Sequence, residues 1–84
     1  MLDMLKIDLG ITTTAYDERL QQYIDNAQTE ITREGVNLNL ESVNDMQLVV
    51  AYAAWTWSKR DSGEGMPRML RYQLNNRIFS VKAR

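Results

Sequence analysis

The apolar positions fall into four stretches, each with helical spacing and each bounded by glycine or proline. Leu2, Leu5 and Leu9 recur at steps of 3 and 4 with Gly10 as a C-terminal stop, which predicts a short helix over Leu2 to Leu9. A threonine run follows, and Thr14 with Asp17 makes an N-cap pair, because a hydroxyl can accept from the orphan amides of a first turn while Asp17 and Glu18 suit the positive end of the dipole. From there Tyr16, Leu20, Tyr23, Ile24, Ala27 and Ile31 trace one stripe of a 3.6-residue period, ending where Gly35 suits a left-handed C′ position. Ser42 and Asp45 form the next cap pair, opening a helix whose core stripe is Met46, Val49, Val50, Ala53, Ala54 and Trp57. Pro67 suits the first turn of a fourth helix, with Leu70, Leu74 and Ile78 as its inner line. The segment from Phe79 to Arg84 is expected to be ordered only weakly without a partner. The expectation is an all-α fold, a small bundle of about four helices with two longer central ones and shorter helices at the two ends.

The third helix carries more apolar surface than one stripe needs. Leu48, Tyr52 and Trp55 lie on a second side of it, so the run from Leu48 to Trp57 is apolar almost all round. Such a helix is covered on more than one side, either by the rest of the chain or by another subunit. The question matters because 84 residues form one small domain, 1–84, near the lower limit for a self-sufficient core. With no cysteine and no histidine, disulfides and the commonest zinc ligands are excluded, and oligomerisation is the aid that remains. No apolar run approaches a membrane span, and the N-terminus lacks the pattern of a signal peptide. The chain is therefore expected to be soluble and intracellular, with no membrane partner.

Charge adds a polarity that the net value of −1 conceals. Up to Ser58 three basic residues stand against nine acidic ones, a balance of −6, whereas from Lys59 onward seven basic residues face only Asp61 and Glu64, a balance of +5. Such a chain suits a basic tail on nucleic acid, a heterologous contact between the acidic part of one copy and the basic part of the next, or simply a solvated charge pattern.

Candidate chemistry is sparse. No phosphate-loop, dinucleotide, zinc-protease or nucleophile-elbow motif occurs, and Gly63-Glu64-Gly65 lacks the flanking strand and lysine of a phosphate cradle. Asp17 with Glu18 reads as capping, Glu30 with Glu34 as a solvated face, and Asp61 with Glu64 as carboxylates compensated by Lys59, Arg60 and Arg68 rather than a magnesium site. An enzyme, a metal and a cofactor are all unexpected. A small helical DNA-binding regulator using the basic C-terminal segment is the competing class, since Arg68, Arg71, Arg77, Lys82 and Arg84 with Tyr72 and Phe79 offer cations and rings. Against it stand a pI near 5.3 and the lack of a helix-turn-helix spacing.

The stretches AYAAW at Ala51–Trp55, KRDSGEGMPRMLR at Lys59–Arg71 and LNNR at Leu74–Arg77, with Thr14–Asp17 and Tyr23-Ile24, resemble the small all-helical head-tail connector (adaptor) proteins of tailed bacteriophages, the DNA-packaging or QLRG type. The resemblance spans nearly the whole chain. It implies a non-enzymatic structural protein, encoded by a phage or prophage, that assembles as a ring below the portal and extends the channel for genome packaging and ejection. Its implied partners are the portal protein, tail or stopper proteins and further copies of itself, with self-association either alone or only on docking to the portal, and non-specific contact to passing DNA. Its implied location is the virion head-tail junction, after assembly in the host cytoplasm. On this reading Tyr52, Trp55, Arg68 and Arg71 are the expected subunit or portal interface, and Arg77, Lys82 and Arg84 the expected DNA-channel contacts.

Overall fold

In a computed structural model four helices follow one another: α1 (Leu2–Leu9), α2 (Asp17–Arg33), α3 (Val43–Ser62) and α4 (Arg68–Lys82). The structure describes residues 1–63 and 65–82, and from 60 to 62 and 79 to 82 the backbone only. α3, at 20 residues, is the central element, and α1, α2 and α4 all pack against it. The body measures 43 × 29 × 17 Å, about two helix layers deep along its shortest axis.

The glycines end the helices as their positions require. Gly10 takes a left-handed φ of 70° and closes α1 through amide bonds from Gly10 and Ile11 to the carbonyls of Ile7 and Lys6. Gly35, at φ 107°, does the same for α2, with Val36 donating back to Ile31. The N-termini depart from expectation. α2 begins at Asp17 without a side-chain cap, and the threonine run forms its own turn: Thr13 Oγ1 accepts the Ala15 amide and the Thr14 carbonyl accepts that of Asp17. Ser42 does occupy the N-cap position of α3, but its hydroxyl makes no cap bond. Pro67 stands just before α4, its carbonyl receiving the Arg71 amide. α4 has 15 residues, close to the 17 of α2, so only α1 is a short end helix.

One contiguous core joins all four helices: Leu5 from α1; Leu20, Ile24, Ala27 and Ile31 from α2; Leu48, Val49, Val50 and Ala53 from α3; Leu70 and Leu74 from α4. Val36 seals it between α2 and α3. Of the expected α2 stripe, Leu20, Ile24, Ala27 and Ile31 are buried as the spacing predicts, Tyr23 is half-buried, and Tyr16, one residue before the helix, is exposed. On α3 the stripe is rotated from the expected one. Leu48 is buried, whereas Met46, Ala54 and Trp57 are half-buried, because α4 covers the side of α3 that Leu48 occupies.

Candidate functional site

Tyr52 and Trp55 meet edge to face at 5.3 Å and are half-buried against the core. Trp55 Nε1–H donates to the Gly65 carbonyl at 3.1 Å, and the Lys59 ammonium lies 4.3 Å from the indole centroid. The indole therefore pins the connection leading into α4. Burial raises the Tyr52 phenol above its ordinary value, helped by the Glu30 and Glu34 carboxylates and opposed by Arg71. Much of the cover over the second side of α3 thus comes from the chain itself.

Two cations of α4 reach back to carboxylates of the acidic half. Arg71 Nη1 bonds Glu34 Oε1 at 3.2 Å in a partly exposed pair. Arg77 holds Asp45 with both guanidinium nitrogens, Nη1 to Oδ1 and Nη2 to Oδ2, the latter at 3.2 Å, while Nη2 also reaches the Asn37 carbonyl at 3.5 Å. Asp45 Oδ2 accepts the Asn39 amide as well, at 2.7 Å. The hydrogen bond from Arg77 holds the Asp45 carboxyl below the usual aspartate range, aided by the Asn39 amide and the guanidinium charge and opposed by burial. Asp45 is 3% exposed, so it is a buried ion-pair partner rather than the capping partner of Ser42 that the spacing suggested. Arg77, expected at a DNA channel, has its guanidinium engaged inside the protein.

Of the remaining expected residues, Arg68 is exposed at the start of α4, Lys82 ends that helix with its side chain outside the described residues, and Arg84 lies outside them altogether. The Asp61 and Glu64 carboxylates also fall outside. Among the described residues no group of three or more acidic side chains is placed to hold a metal ion, and no helix is long and apolar enough to cross a membrane.

Two surface features escaped the sequence reading. Trp57 is the hub of an aromatic cluster, edge to face with Tyr16 at 5.8 Å and with Tyr23 at 5.4 Å, where the start of α2 meets the end of α3. Between α3 and α4 runs an open groove of about 280 Å³ walled by Asn44, Gln47, Gln73 and Asn76, with Leu48 and Arg77 beside them. Among the described residues the outward large apolar side chains are Ile7 on α1, Tyr16 before α2, Leu40 and Val43 at the start of α3, and Met69 with Tyr72 on α4. These surfaces offer contacts rather than reactive groups. Neither a comparison with curated proteins nor one with solved structures finds a match. A family model described as phage gp6-like head-tail connector protein does match, over residues 1–79, and the chain belongs to that family.

Proposed function

We propose that the chain is a non-catalytic ring subunit that docks beneath the portal at the capsid vertex and extends the channel through which the genome is packaged, retained and ejected. Its lower face receives the stopper or tail proteins. Assembly takes place in the host cytoplasm and the finished protein stays at the head-tail junction. The observation that carries this reading is the connector-family match over residues 1–79. A thin helical body with apolar side chains exposed on more than one flank supports it, because such a body has faces left for neighbours. Trp55, Tyr52 and Arg68 form the edge nearest the α3–α4 connection and serve the portal or subunit contact. Lys82 and Arg84 are the cations left to meet passing DNA, since Arg77 is committed to Asp45. The regulator reading loses support for the same reason, with Arg71 and Arg77 both paired within the chain.

Light scattering on the protein alone, and mixed with the portal protein of the same genome at low and moderate salt, tests the proposal. A large closed species in either sample is expected. A monomer that ignores the portal at both salt levels would overturn the reading.

A further inference from the structure

The three most exposed large apolar side chains among the described residues are Ile7 at 78%, Met69 at 70% and Tyr72 at 64%. They belong to two helices, α1 and α4, that share α3 as the element both pack against. On α1, Asp3 precedes Ile7 by one helical turn on the same outer face, with the exposed Asp8 next to it. On α4, Arg68 stands one turn before Tyr72, with Met69 alongside. One outer face is therefore apolar with carboxylates and the other apolar with a cation.

The remaining charges of these helices sharpen the contrast. Lys6, the one cation of α1, turns inward to Asp17 at 2.9 Å and leaves only carboxylates on the outside. Arg71 and Arg77 turn to Glu34 and Asp45, so among the described side chains of α4 Arg68 is the cation that accompanies the exposed apolar pair. Resting on the assembly reading above, we propose that the outer face of α1, carrying Asp3 and Ile7, docks on the outer face of α4, carrying Arg68, Met69 and Tyr72, of a second copy of this chain. The two faces differ, so the contact is heterologous and passes from copy to copy, which is the requirement for a ring. Charge complementarity sets its register, and the apolar pair supplies its dehydrated centre. Leu40 and Val43 with Glu41 make a rival acidic and apolar patch. It lies at the start of α3, the end to which Arg77 of α4 is tied, and its two side chains are less exposed than Ile7.

The absence of native cysteine makes the contact testable by disulfide trapping. Both positions are exposed, so Ile7→Cys and Tyr72→Cys leave the core untouched, and circular dichroism confirms that each variant keeps its helices. Oxidised at millimolar concentration, alone and with the portal protein, the I7C/Y72C chain is expected to give a ladder of covalent multimers. Each single variant stays monomeric, and a mixture of the two gives one heterodimer band. A second pair, D3C/R68C, guards against a one-turn misfit of the first. Absence of a ladder from both pairs overturns the pairing, as does a dimer from either single variant or a ladder from V43C/Y72C instead. Light scattering on the same samples separates the two levels: large species without a ladder refute the α1–α4 contact and leave the ring standing, whereas monomers throughout refute both. Independently, Arg68→Glu is expected to weaken association several-fold and Asp3→Arg in the same chain to restore it.

Discussion

α2 and α4 both pack on α3, yet they are held in different ways. α2 buries an unbroken line of Leu20, Ile24, Ala27 and Ile31 against Val49, Val50 and Ala53, a seam that depends on apolar area and shape. Among its described side chains α4 buries Leu70 and Leu74, with Ile78 half-buried, and it is fixed further by Arg71–Glu34 and Arg77–Asp45. An apolar seam is non-directional and insensitive to pH. Ion pairs specify a register and respond to pH and, where exposed, to salt. α1, α2 and α3 thus form the apolar body, and α4 is an arm latched to it by charge.

The comparison breaks most readily at the apolar seam. Ile24→Ala removes a side chain that is 0% exposed, at an expected cost of about 3 kcal/mol. That is a large share of the ~5–15 kcal/mol by which small domains are stable. Urea denaturation followed by circular dichroism should show one transition at a much lower midpoint, with all helices lost together. A cost below ~1 kcal/mol would mean that the seam is not what holds the body.

Next in size is the latch. Asp45→Ala leaves Arg77 without its carboxylate and the Asn39 amide without its acceptor. Removing one partner of a fully buried pair costs about 3–5 kcal/mol, but the Arg77 side chain is 35% exposed and keeps some water, so about 2 kcal/mol is expected. The loss should fall first on α4. Trp55, bonded to Gly65 in the connection before α4, should report it through a fluorescence change at denaturant concentrations where most helix signal persists. Coincident transitions would show that arm and body unfold as one.

Acid probes the same latch more gently. Because the folded Asp45 carboxyl titrates below its unfolded value near 3.9, its contribution is fully present above that pH and disappears as pH falls through the folded value. The Trp55 signal of the wild type should therefore change below about pH 4. Asp45→Asn, already without the ionised carboxylate, should flatten that part of the profile and be less stable at neutral pH. An unaltered profile would take Asp45 out of the acid response.

The split between body and arm also marks what was legible beforehand. The α2 stripe and the stops at Gly10 and Gly35 could be read directly, because periodicity and left-handed termini are local properties. Asp45 could not be read as a core residue from its neighbours, since Ser42 and Asp45 at the start of an apolar helix also describe a cap. A signal was nevertheless present: Asp45 precedes Leu48 and Val49 by 3 and 4 residues, and Arg77 follows Leu74 by 3, so both lie on inward lines. A carboxylate and a guanidinium on facing stripes point to a buried pair. Their partnership across 32 residues depends on how α4 crosses α3, which no local rule supplies. The same crossing decided which side of α3 was covered, and so leaves Tyr52 and Trp55 half-buried against the core.

The smallest effect is expected at the second latch, and its smallness is the point. Arg71 and Glu34 retain 45% and 33% side-chain exposure, so water screens the pair and each long side chain loses rotamer freedom to hold it. Arg71→Gln should cost no more than ~0.5 kcal/mol, a quarter of the Asp45 effect, and less still in high salt. A double-mutant cycle with Glu34→Gln isolates the pair from the aliphatic packing of Arg71. A coupling near that value would leave Arg77–Asp45 as the tie that fixes the arm. A coupling of ~2 kcal/mol would mean that the carboxylates around Tyr52 act as one network with Arg71, and the arm would then be clamped at two points along its length rather than hinged about one.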